Sequence, residues 1–140
     1  MAGKVWSGEC SCGAVKWEVR GDMRFAGYCH CNACRAFTGG NYYEYAAFNL
    51  DEYHITQGAD LVDEYTVIPG SDYRRSRCGK CGCFLACTKQ TEPKWLSIPL
   101  GHLRDYERVP PPSSHVNYDF KLPWVNFDND GIQKFAGMPS

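Results

Sequence analysis

No stretch of this 140-residue chain approaches the ~20 apolar residues that span a bilayer, so no segment reads as a membrane helix. The opening MAGKVWSGEC has no apolar core of the kind a secretion signal needs. An excess of charge is also missing. The formal net charge is −1, without a basic tail or stripe, which argues against nucleic acid as a partner. There is no phosphate-cradling glycine loop, dinucleotide fingerprint or Ser/His/Asp arrangement, so hydrolase and nucleotide-dependent readings have no support. Repeats, low-complexity runs and linkers are absent too, and the expected organisation is one domain over residues 1–140.

What the chain does have is cysteine. A chain of this size buries roughly two-thirds of its unfolded surface and needs no staple, yet nine cysteines are present: Cys10, Cys12, Cys29, Cys31, Cys34, Cys78, Cys81, Cys83 and Cys87. Nine is odd, so a closed disulfide framework would leave one thiol over. Without a secretion signal the expected compartment is the reducing cytoplasm, where thiols stay free and close pairs read as metal ligands. Cys10-Ser11-Cys12 is a C-x-C pair, and Cys78-Gly79-Lys80-Cys81-Gly82 is a C-x-x-C pair with glycines to form a tight turn. Two such pairs supply the four thiolates of a closed, structural zinc site.

The middle run, Cys29-His30-Cys31-Asn32-Ala33-Cys34, offers three thiolates within six residues. Three protein ligands leave a fourth position open, the usual arrangement of a catalytic zinc. The competing reading is a second closed site with Cys83, Cys87 or His30 as fourth ligand. If Cys29 and Cys31 point one way on an extended segment, His30 points the other, toward a structural or solvent-facing role. Cys83 and Cys87 sit in an apolar segment and read as small buried hydrophobes.

Strand signals dominate the rest, giving an all-β or β-dominated fold of antiparallel sheets. Val15–Arg20 alternates apolar and polar residues, Tyr42–Phe48 is rich in aromatics, and Glu52–Gln57 alternates more weakly. Leu61–Ile68 ends at the turn pair Pro69-Gly70, and Phe84–Thr88 and Trp95–Leu100 are two further candidate strands. Short helical turns are expected at Asn32–Phe37 and Leu103–Glu107. Pro110-Pro111-Pro112 forces an extended excursion. The tail from Phe120 reads as loop, anchored at Pro123-Trp124.

Four segments together resemble the glutathione-dependent formaldehyde-activating enzymes, a family that includes centromere protein V. They are Gly8-Glu9-Cys10-Ser11-Cys12-Gly13; Cys29 to Cys34 followed by Gly39; Cys78 to Gly82 followed by Leu85; and His115 with Pro123-Trp124. The resemblance implies coiled β-sheets stitched by two zinc ions per chain. Cys10, Cys12, Cys78 and Cys81 then match the structural zinc, and Cys29, Cys31 and Cys34 the second, substrate-responsive one. It further implies a carbon–sulfur lyase joining glutathione to formaldehyde as S-hydroxymethylglutathione.

A coordinating thiol gives up its proton and becomes the nucleophile an aldehyde carbonyl requires. Glutathione carries two carboxylates and an ammonium, so its site should offer cations. Arg35, Arg74, Arg75 and Arg77 are candidates, each weighed against a solvated surface position. One of Tyr28, Tyr42, Tyr43 and Tyr45 is expected to line the pocket. His115 reads either as a proton carrier or as a hydrogen-bonded loop residue. Two rival classes remain open at this point: a non-enzymatic zinc-binding interaction module, and a zinc or redox thiol sensor.

Overall fold

The computed structural model describes residues 5–66 and 69–138. Eleven strands and one α-helix are found among them: β1 (Val5–Glu9), β2 (Lys16–Arg20), β3 (Phe25–Cys29), α1 (Asn32–Thr38), β4 (Tyr43–Phe48), β5 (Tyr53–Gln57), β6 (Val62–Thr66), β7 (Tyr73–Cys78), β8 (Phe84–Lys89), β9 (Trp95–Pro99), β10 (Ser114–Val116) and β11 (Gln133–Lys134). The fold is β-dominated, as expected. A small antiparallel sheet runs β1-β2-β5, and a larger one runs β11-β10-β3-β4-β9-β8-β7-β6. The large sheet is not wholly antiparallel, because β10 lies parallel to both β3 and β11.

The core forms where the two sheets face each other. Trp6, Trp17 and Val19 from the small sheet meet Ala46, Phe48, Ala86, Leu96 and Ile98 from the large one. Strand periodicity decides which residues go there. Ala46 pairs with Ile98 and Phe48 with Leu96, so these side chains share the inner face. The alternate residues of the same strands, Tyr45, Ala47 and Ser97, point to the opposite face, together with Cys29 and Val116. Strand β4 is therefore buried on both sides, which is why it reads as a nearly continuous apolar run. Gly8 is required by close approach: a Cβ there would come within 2.3 Å of the Trp17 ring.

Several sequence expectations are adjusted. The strand expected to reach Ile68 ends at Thr66 among the described residues, and Val67 and Ile68 lie outside them. The helix expected over Leu103–Glu107 is replaced by two 3₁₀ turns, Leu100–His102 and Tyr106–Arg108. The tail does not anchor through Trp124, which is 71% exposed. Val125 is the buried residue, and the two-residue β11 holds the tail against β10.

Candidate metal centres and the adjoining pocket

Two turns build the first cysteine cluster. Cys10 and Cys12 follow β1, and Cys78 and Cys81 lie where β7 turns toward β8. Each turn closes on itself: Gly13 N–H donates to Cys10 carbonyl at 3.0 Å, and Gly82 N–H to Cys78 carbonyl at 2.8 Å. Gly13 and Gly82 have φ of 76° and 78°, a left-handed geometry open to glycine at little cost. The turns therefore bring four Sγ atoms within 4.8 Å of one another, drawing the small sheet to the edge of the large one.

The donor set fits zinc. Tetrahedral zinc with Zn–S of ~2.3 Å separates its sulfurs by about 3.8 Å, and Cys10–Cys12 and Cys12–Cys78 lie 3.5 and 3.9 Å apart. Backbone N–H groups of Val15 and Cys81 point at the Sγ atoms of Cys10 and Cys78, at 3.3 and 3.4 Å. Burial pushes the Cys10 thiol up, but the Val15 N–H and neighbouring thiols outweigh it and bring it down to about 6. The Ala14 backbone N–H favours the Cys12 thiolate, but desolvation and the neighbouring sulfurs outweigh it and push Cys12 up to about 11.

The second cluster is Cys29, Cys31 and Cys34, again with all three Sγ atoms within 4.8 Å. Cys29 ends β3. Cys31 caps α1, its Sγ accepting the Cys34 N–H at 3.3 Å. The cap and the hydrogen bonds from the other two thiols hold Cys31 well below the ordinary thiol range, while Cys29 and Cys34 are pushed up. Asn117, in the left-handed region at φ 54°, donates its amide to Cys29 Sγ at 3.5 Å. These three thiols are also a zinc-type donor set, with the Cys29–Cys31 sulfurs 3.5 Å apart.

None of the proposed fourth ligands joins the three. His30 points away from the sulfurs, as strand geometry requires, but it is fully buried rather than solvent-facing. Its Nε2 lies 2.9 Å from His115 Nδ1, and His115 Nε2 lies 2.7 Å from Asp130 Oδ2. An ionised carboxylate only accepts, so His115 donates its Nε2–H to Asp130, while its Nδ1 shares a hydrogen bond with His30 Nε2. Burial, with the neighbouring His115, lowers His30 to about 4 and keeps it neutral. Thus His115 is hydrogen-bonded, though on a strand instead of a loop. Cys83 Sγ sits 3.3 Å from His102 Nε2, away from the second cluster and only half-buried. Cys87 is buried as expected, and burial pushes its thiol up to about 11.

Beside the second cluster opens a cavity of about 560 Å³, bounded by the three thiols, Cys87 and largely apolar walls that include six aromatic side chains. Tyr43 and Tyr45 both line it, so two of the four candidate tyrosines do. Tyr43 Oη bonds Ser97 Oγ at 2.9 Å. Tyr45 Oη has no hydrogen-bond partner among the described residues, and burial raises its pKa so that it keeps its proton. Tyr28 instead stacks on His115 at 4.5 Å, and Tyr42 packs edge-on against Tyr28.

The four candidate arginines face other partners or solvent. Arg35 donates to the carbonyls of His30 and Phe120 and to Asn32, Arg75 lies over Phe37, and Arg77 bonds Tyr65. None of these, nor exposed Arg74, lines the cavity. The cation that does is Arg24, at its exposed rim. Sequence reasoning missed Arg24 because it carries no local motif.

A sequence model of the glutathione-dependent formaldehyde-activating enzymes matches residues 5–119. The chain belongs to this family. The match spans every thiol of both clusters and His115, stopping before Asp130. Among solved structures, a Rhodobacter sphaeroides protein aligns with a TM-score of 0.56 at 20% identity, covering 91% of this chain and 97% of that one. That likeness concerns the fold. No curated protein matches the sequence. Membership of the formaldehyde-activating family agrees with a formaldehyde- and glutathione-related role, and the cysteine clusters are able to hold metal ions. No described helix is long and apolar enough to cross a membrane.

Proposed function

We propose that the chain is a single zinc-binding domain over residues 1–140, acting in the cytoplasm as a carbon–sulfur lyase. Cys10, Cys12, Cys78 and Cys81 hold a structural zinc, and Cys29, Cys31 and Cys34 hold a second one with an open position. The reaction joins a small thiol, in the first place glutathione, to a small formaldehyde-like aldehyde, or separates them. The observation that carries this reading is a three-thiol cluster whose remaining side faces a cavity.

Zinc at the second cluster supplies a position where an incoming thiol gives up its proton. The chain's own groups do the rest. The Cys34 N–H and Asn117 amide fix the sulfurs of Cys31 and Cys29. His30, held through His115 and Asp130, pins the loop between two ligands from behind. Arg24 offers a positive charge to a glutathione carboxylate at the rim. Tyr45 Oη, protonated and without a hydrogen-bond partner among the described residues, is the donor we assign to the aldehyde oxygen as negative charge develops on it.

Glutathione titrated into the metal-loaded protein, followed by calorimetry and by formaldehyde consumption against a protein-free blank, tests the reading. Saturable binding and a rate above the blank are expected. Absence of both at millimolar thiol would move the chain to the class of non-enzymatic zinc modules, and peroxide-driven, reversible zinc loss would mark a sensor.

A further inference from the structure

The cavity is far larger than formaldehyde requires. Open on one side, it offers about 560 Å³, against the ~30 Å³ that one water molecule occupies in the liquid. Formaldehyde has two heavy atoms. A volume of this order matches pockets that enclose whole organic ligands of roughly 300–1,000 Å³.

The walls set the chemistry of what fills it. Phe25, Phe37, Tyr43, Tyr45 and Trp95 all contribute. Their rings meet at edge or tilted angles: Phe25–Tyr45 at 73°, Phe37–Tyr43 at 71° and Tyr43–Tyr45 at 30°. Such a lining presents both ring faces and ring edges, the two surfaces an aromatic guest packs against. Polar capacity is scarce. Ser97 and Tyr43 satisfy each other, and the Asn117 amide contacts Cys29 Sγ and Met138 Sδ. Among the described residues the one cation in the lining, Arg24, sits at the rim. A thiol as charged as glutathione therefore fits with its sulfur at the cluster and its body toward the rim and solvent. The apolar interior is left for the other reactant.

We infer that the site also accepts, beyond a small formaldehyde-like aldehyde, aldehydes with an aromatic or comparably bulky apolar body. This rests on the reading of the site as one that joins thiol and aldehyde. A carbon under attack by sulfur at the cluster lies about 3–3.5 Å from that sulfur, so its substituent falls against the aromatic walls. The balance is RSH + R′CHO → RS–CH(OH)R′. The C–S bond forms, the carbonyl π pair moves to oxygen, and that oxygen gains one proton for the one the thiol lost. No oxidant or reductant is consumed.

The test separates occupancy from chemistry. Binding of 2-phenylethanol and of ethanol, unreactive stand-ins for phenylacetaldehyde and acetaldehyde, is measured by ligand-observed NMR on the protein with its metal. At least about tenfold tighter binding of 2-phenylethanol is expected. Phe25→Ser, at a wall position already 39% exposed, should lose most of that preference while folding normally. Ala47→Leu, which fills the floor, should do the same and serves as a second variant. Equal affinity for the two alcohols, or a preference indifferent to both substitutions, overturns the inference. Glutathione-dependent turnover of phenylacetaldehyde and formaldehyde is scored separately. Turnover of formaldehyde without a 2-phenylethanol preference leaves the proposed function standing and removes this inference. A strong preference without thiol-dependent turnover of either aldehyde overturns the proposed function and this inference with it.

Discussion

The two cysteine clusters use the same atoms in different surroundings. The four-thiol cluster ties together two glycine turns from different sheets, and every sulfur faces the others. In the three-thiol cluster a strand end meets a helix cap, and the sulfurs border an aromatic cavity. Removing the first would release the join between sheets; removing the second would leave the strands that flank it paired. On the proposed reading, ligand count and local geometry, not residue type, divide structural from chemical work.

The strongest break in that comparison is Cys81→Ala. Zinc bound by folded but not unfolded protein contributes its binding free energy to folding, ~10 kcal/mol or more in small zinc domains, against total stabilities of about 5–15 kcal/mol. Circular dichroism should show loss of the cooperative melt. Cys34→Ala comes next: elemental analysis should find about one zinc fewer per chain, with the melt still cooperative. Equal collapse of the two variants would make the second cluster structural as well.

Tyr45→Phe probes the cavity side without touching a ligand. The rate above the blank should fall about tenfold or more, with zinc content unchanged. The smallest effect concerns the rear of the three-thiol loop. Lys134 and His115 hold the Asp130 carboxylate below its ordinary range, against the opposing effect of burial. A lowered carboxyl contributes stability above its unfolded value of ~3.9 and loses it as pH falls through the folded value. Asp130→Asn should cost about 1 kcal/mol at neutral pH. The difference between variant and parent in denaturant melts should begin to shrink as pH falls below ~4 and go on shrinking with further acidification.

What could be read from the sequence was local. The C-x-C and C-x-x-C spacings grouped all seven clustered thiols, because two pairs close glycine turns and the third group joins a strand end to a helix cap. Strands β2, β4 and β8 announced themselves by alternation or by continuous apolar runs. Strand β3 did not: Phe25-Ala-Gly-Tyr-Cys has no β-branched residue and a glycine at its centre, and pairing with β4 and β10 supplies what propensity lacks. The cavity was the least legible part. Arg24, Tyr45, Trp95 and Asn117 converge only through the pairing of β3, β4, β9 and β10. Trp124 misled because an indole was expected to be buried, whereas the shorter Val125 faces inward.

The claim that only the three-thiol cluster accepts an outside thiol is tested most directly by cobalt substitution. In protein carrying cobalt at both clusters, glutathione should raise thiolate-to-metal charge-transfer absorption by the equivalent of one further thiolate. In Cys10, Cys12, Cys78 and Cys81 the shell is already closed, so Cys34→Ala protein with its remaining cobalt should show no change. An unaltered spectrum in the parent protein, or an equal rise in the variant, would contradict the account.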